Sequence, residues 1–365
     1  MNHADTAAKS TSRAPIQPTA VLCFSPSAGG MEMDALRMAS NLNQHLGRAL
    51  LVVREGTWLH REAEANGIAV APIHFRGSFS LQAIRAMRRL WRAHQITNLV
   101  FLGSSEIKSI HFSLTPGIQR FIVRHGTTKR SPKKDWIRRL TWSRVTSHWC
   151  ISDHLRQNVT ELFPIGKAAC FVNHVSLPAP DSLPEVSSKG GPIDLLSLAH
   201  TGRLAEGKGQ DDAIRVIARL RDAGIPAHLT LYGEGPQREA LESLAQELGV
   251  EDAVTLAGFV AAPYREYSRH HAFLFPSHGE GFGNAFVEAL ATGLPAFCYA
   301  NTVFPELREL GLAFEMVPDG DVVALSDAIE QAWQRGMPPS PENIAQCHEH
   351  FSVEHEMQRL RPYLV

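Results

Sequence analysis

Apolar positions along this chain fall into two alternating patterns. Short, mostly apolar runs suit parallel strands covered on both faces; between them, apolar residues recur every three or four positions, the spacing of one helix face. Up to mid-chain the runs predict strands at Val21–Phe24, Ala49–Val53, Ala69–Phe75, Asn98–Leu102, Arg120–Arg124, His148–Ser152 and Ala169–Asn173. The alternation stops over residues 177–192, where Pro, Gly and Ser crowd together as they do in linkers. It resumes with strands near Leu195–Leu198, His228–Tyr232, Val254–Leu256, Ala272–Phe275 and Ala296–Tyr299. Strand–helix alternation on both sides of a linker predicts two doubly wound α/β domains, residues 19–176 and 193–345. Residues 1–18 are polar, lack the apolar core of a signal peptide and read as a disordered tail; residues 346–365 read as a terminal helix able to pack back on the first domain.

Composition is consistent with that division. With 365 residues, 44% of them hydrophobic, the chain can bury two cores. No apolar run reaches the roughly 18 to 20 residues of a membrane span. Five cysteines without a CxxC pair argue against a disulfide framework and for a cytoplasmic protein.

Charge changes the picture more. The formal net charge of −1 hides an excess of basic residues before position 190 and of acidic residues after it, so the first domain is expected to face an anionic partner. Lys129, Arg130, Lys133, Lys134, Arg138, Arg139 and Arg144 crowd one segment with only Asp135 opposing them, beside Trp136, Ile137, Leu140 and Val145 near helical spacing and Trp142 alongside. Basic residues flanking Trp and Leu are what a helix lying on a membrane surface uses. A second basic helix carries Arg85, Arg88, Arg89 and Arg92, where a solvated face over an ordinary core stripe is an equally good account. Nucleic acid is disfavoured, because the aromatics form helical stripes rather than stacking platforms.

The segment richest in chemistry runs from Glu280 to Glu288. It follows the apolar run ending at Phe275-Pro276-Ser277 and opens a helix predicted over Asn284 to Thr292. Glu280 falls in the strand-to-helix loop and Glu288 about one turn inside the helix. The amides of Phe282, Gly283 and Asn284 are expected in the first turn, where unpaired N–H groups and the helix dipole favour oxygen-rich or anionic ligands. Arg203 and Lys208 flank a second glycine turn at a strand end, where two cations can meet a diphosphate.

This segment, with Ala289-Leu290-Ala291-Thr292-Gly293-Leu294-Pro295 behind it, resembles the E-x7-E signature of the retaining family-4 glycosyltransferases of GT-B fold. Four further motifs follow the family's order: Gly29-Gly30-Met31-Glu32 after the first strand, Phe121–Gly126 carrying His125, Gly202-Arg203-Leu204 leading to Lys208-Gly209, and Gly233-Glu234-Gly235-Pro236. The resemblance implies two Rossmann-like domains facing each other across a cleft. It further implies that Arg203 and Lys208 bind the donor's diphosphate, Glu288 the ribose, Glu280 the sugar hydroxyls and His125 an outer sugar hydroxyl. Gly29, Gly30 and Gly233 would bring backbone close to the donor. Read from its residues alone, a lone histidine after an apolar strand is more often a packing residue; the resemblance is what favours a site role for His125.

By the same resemblance the donor is a nucleotide-diphosphate sugar of UDP type, with no cofactor and no metal. The acceptor is expected to be an anionic lipid-linked glycan at the inner face of the cytoplasmic membrane, most like that of the lipopolysaccharide core enzymes. A soluble transferase with a small acceptor, a sugar-nucleotide epimerase and a non-catalytic scaffold are the alternatives. Asp319-Gly320-Asp321 has the D-x-D form of metal-using transferases but precedes a helix, where Asp is an ordinary cap. His348, His350 and His355 lie in a charged helical segment and are expected to be solvated.

Overall fold

The computed structural model describes residues 17–129, 131–179, 182–186 and 193–365. Two all-parallel sheets dominate it. The first has order β3-β2-β1-β4-β5-β6-β7 and the second β10-β9-β8-β11-β12-β13, with these elements assigned as follows. In the first domain, β1 (Thr19–Cys23), β2 (Ala49–Arg54), β3 (Val70–Ile73), β4 (Asn98–Leu102), β5 (Arg120–His125), β6 (Ser147–Cys150) and β7 (Ala169–Val172) alternate with helices. These are α1 (Gly30–His45), α2 (Trp58–Ala65), α3 (Leu81–Ala93), α4 (Ile107–Ser113), α5 (Trp136–Trp142) and α6 (Asp153–Leu162).

The second domain repeats the plan. Its strands are β8 (Leu196–Thr201), β9 (Ala227–Tyr232), β10 (Val254–Gly258), β11 (Ala272–Phe275), β12 (Ala296–Tyr299) and β13 (Glu315–Val317). Between them run α7 (Gln210–Asp222), α8 (Arg238–Glu247), α9 (Asn284–Ala291) and α10 (Phe304–Glu309), followed by α11 (Val322–Gln334), α12 (Pro341–Phe351) and α13 (Val353–Leu360). The predicted α/β class of two Rossmann-like domains is the observed one. Strand β13 was not predicted: it is three residues long, and only Val317 of it is buried.

Both sheets reverse strand order beside their first strand, between β1 and β4 and between β8 and β11. Loops leaving the carboxyl ends of those strands diverge and leave a crevice, the usual ligand site of open α/β sheets. The Gly29-Gly30 turn follows β1, the Arg203–Lys208 turn follows β8 and the Glu280 loop follows β11.

One apolar core runs through the domain boundary, joining Phe121, Trp142 and Phe163 of the first domain to Phe282, Phe286 and Phe304 of the second. The chain crosses back at Ser352, which ends α12 and caps α13 through its hydroxyl, an acceptor for His355 N. Helix α12 stays with the second domain, where Cys347 donates to Val287 O. Helix α13 joins the first: Met357, Leu360 and Leu364 pack with Val21, Ala35 and Met38, and Asn98 Nδ2 donates to Leu364 O at 2.7 Å.

Candidate functional site

Glycines shape the turns that carry the cations. Gly209 has φ 75°, and a Cβ there would sit 1.9 Å from Pro276 O. Only a glycine lets the Lys208 turn lie this close to the end of β11. Gly233 (φ 147°) is pressed on Gly202 in the same way, with 2.0 Å from an added Cβ to Gly202 O, so the β9 turn backs the Arg203 turn. His200 is buried and its imidazole is pushed down to about 4 by desolvation; it is neutral and donates from Nε2 to Lys208 O at 3.1 Å. That bond fixes the turn's carbonyl and leaves the lysine side chain toward the crevice.

Lys208 and Glu280, 72 positions apart, meet: Nζ lies 2.7 Å from Glu280 Oε1. Glu280 also accepts from Ser277 Oγ at 2.9 Å, and its backbone N–H donates to Thr302 Oγ1. An ammonium has three donors, so two remain for a ligand. Arg203 is exposed and forms no ion pair among the described residues.

Across the boundary, α1 and α9 face each other at their amino ends. A Cβ on Gly30 would lie 3.9 Å from Asn284 Nδ2, and Asn284 donates to Asp34 Oδ1 at 3.1 Å. Asp34 is buried between Arg37 (2.6 Å) and Arg124 (2.9 Å), which hold its carboxyl below the usual range against the opposing, larger effect of burial. Arg37 reaches on to Glu288, Nη1 to Oε1 3.7 Å. Burial raises the Glu288 carboxyl to about 7, with Arg37 pulling it down and Asp34 pushing it up. Gly283 is the left-handed N-cap of α9 (φ 77°), so Phe282 and Gly283 precede the first helical turn instead of lying in it. The Phe282 ring is buried against His174 and Phe351.

Two further contacts hold the domains together. Gly281 O accepts from Ser152 Oγ at 2.6 Å, and Glu306 caps α6 of the other domain, accepting from Asp153 N at 2.8 Å and His154 N at 3.3 Å. Charge-assisted bonds at a helix N-terminus are among the stronger polar contacts.

His125 is placed differently from the acidic and basic residues. Its ring is buried, hydrogen-bonded to His148 (Nε2 to Nδ1, 2.9 Å) and stacked on Trp142. Burial, foremost, and the neighbouring His148 push it well below the usual histidine range. Its side chain is engaged in packing, and the crevice is met one residue later, by Gly126 O against Gly281.

The basic segment is split by helix α5. Trp142 and Val145 are buried, whereas Trp136 is 74% exposed beside the exposed Leu140. Lys129, Lys133, Lys134, Arg138 and Arg139 surround them; Arg130 lies outside the described residues. Asp135 caps α5 and pairs with Arg138. Helix α4 packs against both α3 and α5, and Phe79, Leu81 and Phe112 nearby are exposed, with Phe79 and Phe112 6.0 Å apart. Beneath α5, Lys134, Arg139 and Lys167 with Trp142, Phe163 and Pro164 line a cavity of about 890 Å³. Among the described residues no helix is long and apolar enough to cross a membrane. Asp321 caps α11, accepting from Ala324 N.

Residues 190–347 match the family described as glycosyl transferases group 1. The Gly209 and Gly233 turns, Lys208, Glu280 and Glu288 fall inside that stretch; the Gly29-Gly30 turn lies outside it. The chain is 31% identical over 149 residues to the putative colanic acid biosynthesis glycosyltransferase WcaL of Salmonella typhimurium, covering 39% of this chain and 36% of that one. It is 37% identical over 97 residues to a Campylobacter jejuni diphospho-undecaprenol 4-alpha-N-acetylgalactosaminyltransferase, covering 27% of this chain and 26% of the other. The matched stretches thus span about a third of these relatives or less. Over the whole chain, the Anabaena protein HepE, solved with UDP and glucose, superposes with a TM-score of 0.79 at 16% identity, covering 95% and 98% of the two chains. That likeness shows the GT-B fold: two Rossmann-like domains facing each other across a cleft.

Proposed function

We propose that this protein is a group 1 glycosyltransferase that moves a sugar, with retention and without metal, from a UDP-type nucleotide sugar to an anionic lipid-linked glycan. The observation that carries the proposal is the meeting of Lys208 with Glu280, eight positions before Glu288 of α9, at the switch points of two facing sheets, inside the stretch that matches the family. Cleaving the bond between an anomeric carbon and a diphosphate builds negative charge on the phosphates, which fixed cations stabilise. Arg203 and the two free donors of Lys208 supply them. In this reading Glu280, anchored by Lys208 and Ser277, accepts from sugar hydroxyls and Glu288 from the ribose. HepE was solved with UDP and glucose, and the Campylobacter relative acts on a diphospho-undecaprenol, which supports donor and acceptor class.

The division between the two glutamates is testable by calorimetry with bare nucleotide diphosphate. Glu288→Ala is expected to weaken binding about tenfold or more, the scale of one lost charged hydrogen-bond partner, whereas Glu280→Ala leaves it nearly unchanged but impairs transfer. Equal losses in both variants would refute the assignment.

The acceptor's lipid and the inner face of the cytoplasmic membrane are proposed from the α3–α4–α5 surface. Each Lys or Arg near an anionic surface contributes about 1 kcal/mol, and the exposed Trp136 and Leu140 of α5 add apolar area. The protein is therefore expected to sediment with anionic vesicles and not neutral ones. Changing Lys133, Lys134, Arg138 and Arg139 together to Gln should abolish this and spare nucleotide affinity. A quadruple variant that still sediments like the parent would reduce the surface to a solvated face.

A further inference from the structure

Glu288 belongs to the second domain, yet the cation facing it comes from the first. Arg37 lies 3.7 Å away, and its other Nη is held by Asp34, which Arg124 and Asn284 hold in turn. The Arg37 Nε is buried without an acceptor among the described residues, so its hydrogen-bonding capacity is not exhausted within the protein. The other ionisable groups acting on this centre are Tyr267, whose phenol is raised chiefly by burial and further by Glu288, and Glu356 of α13, which acts on Arg37. Neither supplies a positive charge.

We propose that Arg37 is a positioning residue for donor binding: from the first domain it keeps Glu288 of the second ionised and oriented, so that ribose hydroxyls meet a competent acceptor only when the domains are closed. This rests on the assignment of Glu288 to the ribose. An ionised carboxylate is acceptor-only, whereas a protonated one carries an O–H donor and is the weaker acceptor for ribose hydroxyls. Without Arg37, Glu288 would keep its desolvation and the like charge of Asp34, and its ionisation would move to higher pH. Binding needs the ionised form, so affinity rises with pH through that ionisation, and losing Arg37 displaces the rise upward.

Calorimetry with UDP-glucose and GDP-mannose, whose diphosphate diesters do not titrate near neutrality, tests this on the parent, Arg37→Ala, Arg37→Lys and Glu288→Gln. The parent's affinity should climb across neutral pH. Arg37→Ala should bind about tenfold more weakly at neutral pH and recover most of the loss about one to two units higher, one unit of pKa being a factor of ten in affinity below it. Arg37→Lys, which keeps a charge, should fall between, and Glu288→Gln should be weak and flat with pH. Thermal melts check that each variant is folded. Arg37→Ala with the parent's pH profile, or with tighter binding, overturns the role of Arg37. Failure of the parent to bind either nucleotide sugar, or unchanged binding by Glu288→Gln, instead overturns the donor-site assignment beneath it.

Discussion

Lys208→Ala is expected to lower transfer by a factor on the order of 10² to 10³, the scale for removing one preorganised partner of transition-state charge. Two losses coincide in this variant. The leaving diphosphate loses a cation, and Glu280, 2.7 Å away in the parent, is left as an uncompensated negative charge beside the site where phosphate must dock. Arg203→Ala, which breaks no ion pair among the described residues, should show only the first loss, of order 10². Both side chains are at least partly exposed, so the fold should survive. Initial rates with a nucleotide sugar, together with circular dichroism, make the comparison. Near-normal turnover in both variants would remove the diphosphate from this turn.

The second large effect is expected at Gly281. A Cβ there would meet Gly126 O of the other domain at 2.3 Å and the Leu155 side chain at 3.1 Å. The first obstacle is backbone, so relief requires separating the domains. Separation would also cost the Ser152 bond to Gly281 O and the Glu306 cap on α6. Gly281→Ala should therefore lower transfer by on the order of 10² or more and lower the melting temperature, since an overpacked contact costs about 1–3 kcal/mol. Gly279→Ala is the control: its added Cβ meets nothing closer than Thr302 Cγ2 at 4.0 Å. If the two variants behave alike, close approach of the domains is not what transfer requires.

Much of the fold was legible because parallel strands covered on both faces leave uninterrupted apolar runs, as in Leu99–Leu102 and Phe273–Phe275. Glycine turns were legible for a related reason: Gly209 and Gly233 answer to backbone geometry that a side chain would break. The charged contacts between the domains were not, because Asp34 meets Arg124 and Asn284 from 90 and 250 positions away, and no local period encodes such a pairing. One signal was present and unused. Arg124 directly continues the apolar run Phe121-Ile122-Val123 within a predicted buried strand, and a charge there demands a buried partner. Asp34 and Arg37, one turn apart after the double glycine, were the nearest acid–base pair on a helix leading from the predicted cleft. For His125, sequence weighed a site role against packing; the structure gives its ring to His148 and Trp142.

Helix α13 has a consequence for how the molecule is made. Met357, Leu360 and Leu364 fill the outer face of the first sheet, and Asn98 and Asn173 bond to the carbonyls of Leu364 and Glu356. Chains usually fold in the order in which they leave the ribosome, amino-terminal domain first. Here the first domain must wait, with Val21 and Met38 uncovered, while the second is synthesised, and it closes only when residues beyond 353 emerge. The domain translated first is thus completed by residues that are made only after the whole of the second.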